Sequence, residues 1–440
     1  MIGKTNAVSG GGTKYESVHI SLAANNNENN KLYGVVVTIS HLGNAESQEW
    51  IGETLSFKVE AGASYTISAS AADGFYTPKP MSYIAQLGNV RIVTMTFERH
   101  CITTIRINQA ITDPASMITL VEDTGGIQAI RANSHRYMGK KTSNGVMTIY
   151  QLDDNNSTKT ANGKTATLAS STYDIFMRLP RFFYRGIKVS DDVMDVTFYI
   201  GDKILENDKE WDGNDLIGVY EAYVSSKTTY SRSGVTSTGS VSRDTFRQNA
   251  NARGPGYSLV KWKHHCIMAW LFMAYYRTTD AQAICGSGTA EDTGATNNLG
   301  MNDSTASSTR VNFWGLEDWW GGKYEWVDNC EVISSSSWNV TEDDGSVRVV
   351  TAGASTGFIR KINLNEFLDV APSLAGGTST TGFCDHYQQA VAGKVVARSN
   401  SGNSSYSGLF RIACNDASTH EESSYGSRLA FRGTLIEATL

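Results

Sequence analysis

The stretch Asn312–Trp326, which reads NFWGLEDWWGGKYEW, limits the folds open to this chain more than any other. Five of the nine tryptophans fall between Trp314 and Trp338, with glycines at 315, 321 and 322 among them. Indole rings bury much apolar surface, and each N–H wants a partner, so rings this dense belong in an interior. The glycines allow backbone turns that a side chain would obstruct. The stretch reads as the rigid centre of one domain, bracing a surface nearer the C-terminus.

With 440 residues there is room for two or three domains with real cores. Charged residues are only 19% and prolines six, against 41 glycines and abundant Ser, Thr and Asn. That balance suits a turn-rich β protein whose surface uses hydroxyls and amides more than ions. The net charge of −6 and the lack of a basic run give no electrostatic basis for nucleic-acid binding or for docking on an anionic bilayer. The longest apolar run is broken by His264 and His265 and is too short to span a bilayer, so no membrane insertion is expected. The N-terminal MIGKTNAVSGGG has no apolar signal core. Six scattered cysteines without a C-x-x-C pair read as buried thiols, with one long-range disulfide as the alternative.

Residues 1–15 are Gly/Ser/Thr-rich and expected to be mobile. From Ser17 to about His100 the period is two: Tyr33–Ile39, Leu55–Val59, Tyr65–Ala69 and Val90–Phe97 are strand candidates separated by turn residues. Short strands at this spacing predict a small antiparallel, immunoglobulin-like sandwich over 16–100, serving as a spacer or attachment module. A boundary follows near residue 100. Val146–Leu152, Ile175–Tyr184 and Val193–Ile200 are further strands in a β-rich region over 101–200. The loop Asp153–Lys164 lacks the spacing of a calcium hand and reads as solvated. Ser258–Arg277 is the best helix, with Leu259, Trp262, Cys266, Trp270 and Met273 on one stripe.

The tryptophan stretch resembles the G-L-x-D-M-x-G-N-V-x-E-W signature of the formylglycine-generating-enzyme branch of C-type-lectin-like folds. Gly315, Leu316, Asp318, Gly321, Glu325 and Trp326 stand in matching places, and Gly322 stands where the family has asparagine. Ser427–Gly433 (SRLAFRG) resembles the closing R-x-A-x-R strand of the same families. Within that branch the chain is most similar to the variable proteins of diversity-generating retroelements, over residues 101–440. With the sandwich, the resemblance implies an α+β fold class: an N-terminal immunoglobulin-like β-sandwich followed by a C-type-lectin-like ligand-binding domain over 201–440. It implies a receptor-binding protein at the tip of a phage tail fibre, homotrimeric, whose partners are phage tail structural proteins and a bacterial surface protein or glycan. A bacterial surface adhesin is the alternative.

The residues themselves support a binding surface. Ser399–Tyr425 holds 8 Ser, 3 Asn and 2 Tyr, so 13 of its 27 residues are types that antibody loops favour. In Phe410–Cys414, Phe410, Ile412 and Cys414 alternate with Arg411 and Ala413, predicting one buried and one presented face. The expected ligand contacts are Ser399, Asn400, Asn403, Ser405, Tyr406, Arg411, Ala413, Asn415, Asp416, Thr419 and His420.

Catalysis is not expected. Formylglycine generation in the family uses two neighbouring cysteines to hold copper, whereas Cys384 and Cys414 are far apart in sequence. The iron-dependent relatives use several histidines, and only His386 and His420 lie in the C-terminal region. A zinc site from His264, His265, Cys266 and Cys285 is disfavoured, since adjacent histidines on a helix point about 100° apart. Asp385-His386-Tyr387 has no accompanying nucleophile motif and reads as rim or packing. Glu317, Asp318 and Glu325 read as turn and capping residues rather than a glycosidase pair. No cofactor is expected, structural Ca²⁺ being left open. The alternative class is a metal-dependent oxidase or glycan-processing enzyme.

Overall fold

A computed structural model describes residues 14–25, 29–72, 74–86, 91–288, 292–400, 406 and 408–440. Of the expectations above, the mobile N-terminus up to residue 13 and the contacts Asn403 and Ser405 lie outside the described residues. The chain divides into two compact units, Met1–His100 with Gly201–Glu206, and Cys101–Ile200 with Asn207–Leu440.

In the first unit, two four-stranded sheets share one core that includes Val18, Ile20, Val37, Phe57, Ile67 and Phe97. Alternation builds it. In Leu55–Glu60 the residues Leu55, Phe57 and Val59 are buried while Ser56, Lys58 and Glu60 face out. The pairing is not antiparallel throughout, as the sequence suggested: Tyr15–Ala24 runs parallel to Arg91–Arg99, with Val18 opposite Arg91. Parallel neighbours need a long crossover, and the chain between them supplies all four strands of the other sheet. One of those, Asn44–Glu49, is a polar edge strand that carries no apolar signal.

The fold class differs from the α+β expectation. Strands make up 44% of the structure and helices 10%, spread over seven sheets, so the protein is mostly β. An immunoglobulin-like module followed by a C-type-lectin-like domain is not what the coordinates display. The matched motifs span two short segments, whereas the rest of the second unit is spent on sheets of five, seven and nine strands. Ile175–Tyr184 is not one strand. It breaks at Pro180 into Asp174–Arg178 and Phe182–Ser190, which join different sheets. The long helix runs over Trp262–Tyr276, and the residues expected to begin it, Ser258 and Leu259, instead belong to a strand, Tyr257–Leu259, paired with Leu429–Phe431. Twelve of its fifteen residues are buried, so it is apolar on every side rather than along one stripe.

Trp314, Trp319, Trp320, Trp326 and Trp338 are all fully buried. The Trp320 indole donates to the Gly286 carbonyl at 2.8 Å, and Trp326 donates to the Val241 carbonyl at 3.4 Å. Trp314, Trp319 and Trp338 have no partner for theirs among the described residues. Trp319 is capped instead by a cation: the Arg398 guanidinium sits 3.7 Å from its ring centre.

That arginine belongs to a buried charge network. Glu325 Oε2 accepts from Arg398, and Glu325 Oε1 accepts from Arg428 Nε at 2.8 Å. Arg428 spends its remaining donors on four carbonyls, those of Gly218, Val219, Glu317 and Asp318, at 2.6–3.0 Å. Arg398 also donates to the Trp319 carbonyl and to His265 Nδ1. All three charged side chains are at most 1% exposed. The tryptophan stretch (Glu325), the closing strand (Arg428) and the strand leading into the C-terminal window (Arg398) are thereby tied at one point. Beside it, Gly322 has φ +51°, and a Cβ there would lie 2.3 Å from the Glu221 carboxylate. Glu221 in turn accepts from the Lys323 amide at 2.7 Å, and burial, then the charge of Glu325, pushes its pKa up to about 7. The Glu221 carboxylate thus takes the space that a side chain at 322 would need.

Cutting one member of a buried ion network strands the others without compensation. Glu325→Ala is expected to lower unfolding free energy by ~3–5 kcal/mol, read as a shift of the urea midpoint at unchanged slope.

Candidate binding face

The nine-stranded sheet brings five separate segments side by side. Tyr324–Ser334 pairs with Val395–Arg398, which pairs with Ile412–Asp416, then His386–Gln388, then Gly357–Ile362. This order lines up Tyr324, Arg411, His386 and Phe358 from strands up to 87 residues apart in sequence.

A row of rings results. Trp326 stacks on Tyr425 with centroids 4.5 Å apart, and Tyr425 stacks on Tyr324 at 4.7 Å. Arg411 continues the row, donating from Nη2 to the Tyr324 hydroxyl at 2.9 Å and from Nη1 to the His386 carbonyl at 2.9 Å. Arg411 Nη1 also donates to His386 Nδ1 at 2.6 Å. Because Nδ1 accepts, the proton of the neutral imidazole sits on Nε2. Burial and the Arg411 charge both hold His386 below the ordinary histidine range, so the ring stays neutral. Tyr406 closes the row, stacked on Phe358 at 5.3 Å and meeting His386 edge-on at 5.2 Å. It is 48% exposed. At the other end, His420 meets Tyr425 edge-on at 5.1 Å.

The expected contacts fall into two groups. Tyr406 and Thr419 are exposed, and Asn415, Asp416 and His420 are half-buried, with Asp416 accepting from the Tyr425 hydroxyl at 2.6 Å. Ser399, Asn400, Arg411 and Ala413 are buried. Ser399 donates to the Gly321 carbonyl at 3.0 Å, straight onto the tryptophan stretch. The presented face expected of Arg411 and Ala413 is therefore absent. Ala413 lies in the strand Ile412–Asp416, which has neighbours on both edges, and Arg411 directly precedes it; residues 411 to 414 are buried one after another, so alternation no longer separates inside from outside. Phe358 and Gln388 drew no notice in the sequence and Tyr324 read only as part of the tryptophan-rich stretch, since none lies in the Ser/Asn-rich window, and His386 read only as rim or packing. A lone aromatic or amide at a strand end carries no signal that could have assigned it here.

Asp385 anchors the segment leading into the strand. Its Oδ2 accepts from the Phe410 amide at 2.7 Å, and a Cβ on Gly408 would come within 2.1 Å of its Oδ1, so only glycine allows this approach. Burial, opposed by the Phe410 amide and aided by the charge of Asp280, pushes Asp385 up to about 8.

Among the described residues no three His, Cys, Asp or Glu side chains are grouped to hold an ion. His264 is engaged by Asp215 and by the Lys261 amide, while His265 accepts from Arg398. All six cysteines are free thiols. In the loop Asp153–Lys164, Asp153 accepts from the Asn155 and Asn156 amides at 2.9 Å, and Asp154 faces His135.

No family model matches the chain, and no curated protein matches it. Among solved structures, that of a streptococcal ancillary pilin aligns with 43% of this chain at 13% identity and a TM-score of 0.17. The alignment spans 60% of the pilin chain. A TM-score that low establishes no shared fold.

Arg411→Ala removes a buried guanidinium and leaves its acceptors unmatched, with an expected loss of about 2–4 kcal/mol in chemical denaturation. Tyr406→Ala, at a half-exposed ring, is expected to cost about 1 kcal/mol or less. Asp385 generates a pH signature. Its folded pKa of about 8 lies above the ordinary 3.8, so its contribution is complete at acid pH and fades as pH rises through about 8. The melting temperature of Asp385→Asn, which keeps an acceptor for Phe410, should therefore fall less between pH 5 and pH 9 than that of the wild type.

Proposed function

We propose that this protein is a receptor-binding protein of a phage tail fibre, of the diversity-generating-retroelement variable type, which grips a bacterial surface protein or glycan through the face around Tyr406. The observation that carries the reading is Tyr406 itself: an aromatic ring 48% exposed, held by Phe358 and His386, inside a Ser-, Asn- and Tyr-rich window. Tyr and Trp are the residues that most often anchor an interface, because they offer wide contact at low entropic cost. The frame beneath is held by stacking and by the Arg411 hydrogen bonds, so little ordering is lost on binding. Along the row stand groups of mixed polarity: His386 against the ring, the Gln388 amide beside Arg411, and, at the opposite end, the Asp416 carboxylate on Tyr425. The motif resemblance through Glu325, Trp326 and Arg428 adds the phage reading, and display in three copies would multiply a modest single-site affinity. Among the described residues no helix is long and apolar enough to cross a membrane.

The test is binding of the purified, fluorescently labelled protein to a panel of bacterial strains. At least one strain should bind saturably, and Tyr406→Ala and Thr419→Arg should each weaken that binding roughly tenfold or more while the circular dichroism stays that of the wild type. Unchanged binding by both variants would place the receptor contact elsewhere. A near-repeat of the 3′ coding region beside a reverse-transcriptase gene would support the retroelement assignment.

A further inference from the structure

A second surface, sharing no residue with the face around Tyr406, is a cleft of about 620 Å³ in the second unit. It lies among the strand Lys209–Trp211, the start of the helix Trp262–Tyr276, and the segments around Asp343 and Phe367. Its size is that of sites for small organic ligands.

The polar lining divides sharply. Each of its six carboxylates is matched by a cation. Asp369 and Glu342 pair with Arg348, Asp215 with Lys263 and Arg432, Asp212 with Arg432, Asp343 with Lys263, and Glu210 with Arg181. The groups left without a protein partner can all donate. Lys209 Nζ has no carboxylate within ion-pair distance among the described residues and rests 3.7 Å above the Phe367 ring. The Tyr184 hydroxyl likewise has no hydrogen bond among the described residues, and the buried Trp211 indole N–H has none either. Burial pulls the Lys209 ammonium below the ordinary lysine range, as expected of a cation still short of a counter-charge.

The lining as a whole holds six carboxylates against four cations, Lys209, Lys263, Arg348 and Arg432. Its negative balance disfavours a polyanion such as a phosphate ester, yet one unmatched ammonium calls for a single negative charge. We propose that this cleft binds a monocarboxylated sugar of the hexuronic-acid class, with the ligand carboxylate on Lys209 and its neutral hydroxyls on Tyr184 and the ion-paired rim. The carboxylate would turn the cation held over Phe367 into a charge-assisted hydrogen bond. The hydroxyls would meet carboxylates and guanidinium groups that keep free lone pairs and N–H groups beside their existing partners.

Isothermal titration calorimetry of the full chain at pH 7 with sodium glucuronate tests this, with glucuronamide as the uncharged isostere. Saturable one-to-one binding of glucuronate is expected, with glucuronamide roughly tenfold weaker or worse. Lys209→Met should weaken glucuronate to the level of the amide, and Lys209→Arg should retain most of it. Lys209 is half-exposed and at an edge strand, and unchanged melting temperatures of both variants will show that they fold. No saturable heat up to ~20 mM glucuronate, equal affinity for acid and amide, or full affinity in Lys209→Met would each overturn the proposal. Any of these leaves the reading of the Tyr406 face untouched.

Discussion

Glu325 between Arg398 and Arg428 is the interaction on which the second unit turns. Burying one carboxylate and two guanidinium groups is costly, and it is tolerable only because every strong donor has an acceptor. Arg428 alone reaches four main-chain carbonyls from two separate segments, Gly218–Val219 and Glu317–Asp318. A cation that bridges several backbones defines their mutual placement more sharply than apolar contact can, since hydrogen bonds have direction and indole packing has little. The tryptophans supply the dry surroundings that make such charges strong. Trp319 lies against Arg398, and Trp326 follows Glu325 directly.

From that point rigidity passes outward along the sheet. Arg398 is opposite Glu325 on one side and Ile412 on the other, so the strand that Arg411 leads into is registered against the network within two strands. Arg411 then uses its fork to hold Tyr324 and His386, and His386 meets Tyr406 edge-on. The exposed ring is the far end of a series of directional contacts that begins at a buried carboxylate.

Legibility in the sequence followed the strength of local patterns. Leu55–Glu60 and Arg91–Arg99 alternate cleanly because one face meets a core and the other meets water. Asn44–Glu49 has no such contrast and went unread; its pairing is supplied by a neighbour, not by its own residues. The α+β assignment failed because it rested on two short motifs and extended their fold to sequence whose own preference was for strands. Arg411 misled for a related reason. A charged residue alternating with apolar ones predicts an outward face only where the sheet has water on one side, and here it has none.

The sequence by itself determined that five indoles would be buried together, that Gly, Ser, Thr and Asn would favour turns and strands, and that the residues after 398 would be rich in adaptable contact types. These are consequences of composition and spacing, and each residue carries them wherever it goes. Tertiary structure decided which of the window's side chains reach solvent, which carboxylate meets which arginine, and that Phe358, His386 and Tyr406 share one face. Such pairings depend on strand order in a sheet assembled from segments far apart in the chain, and local pattern holds no record of that order.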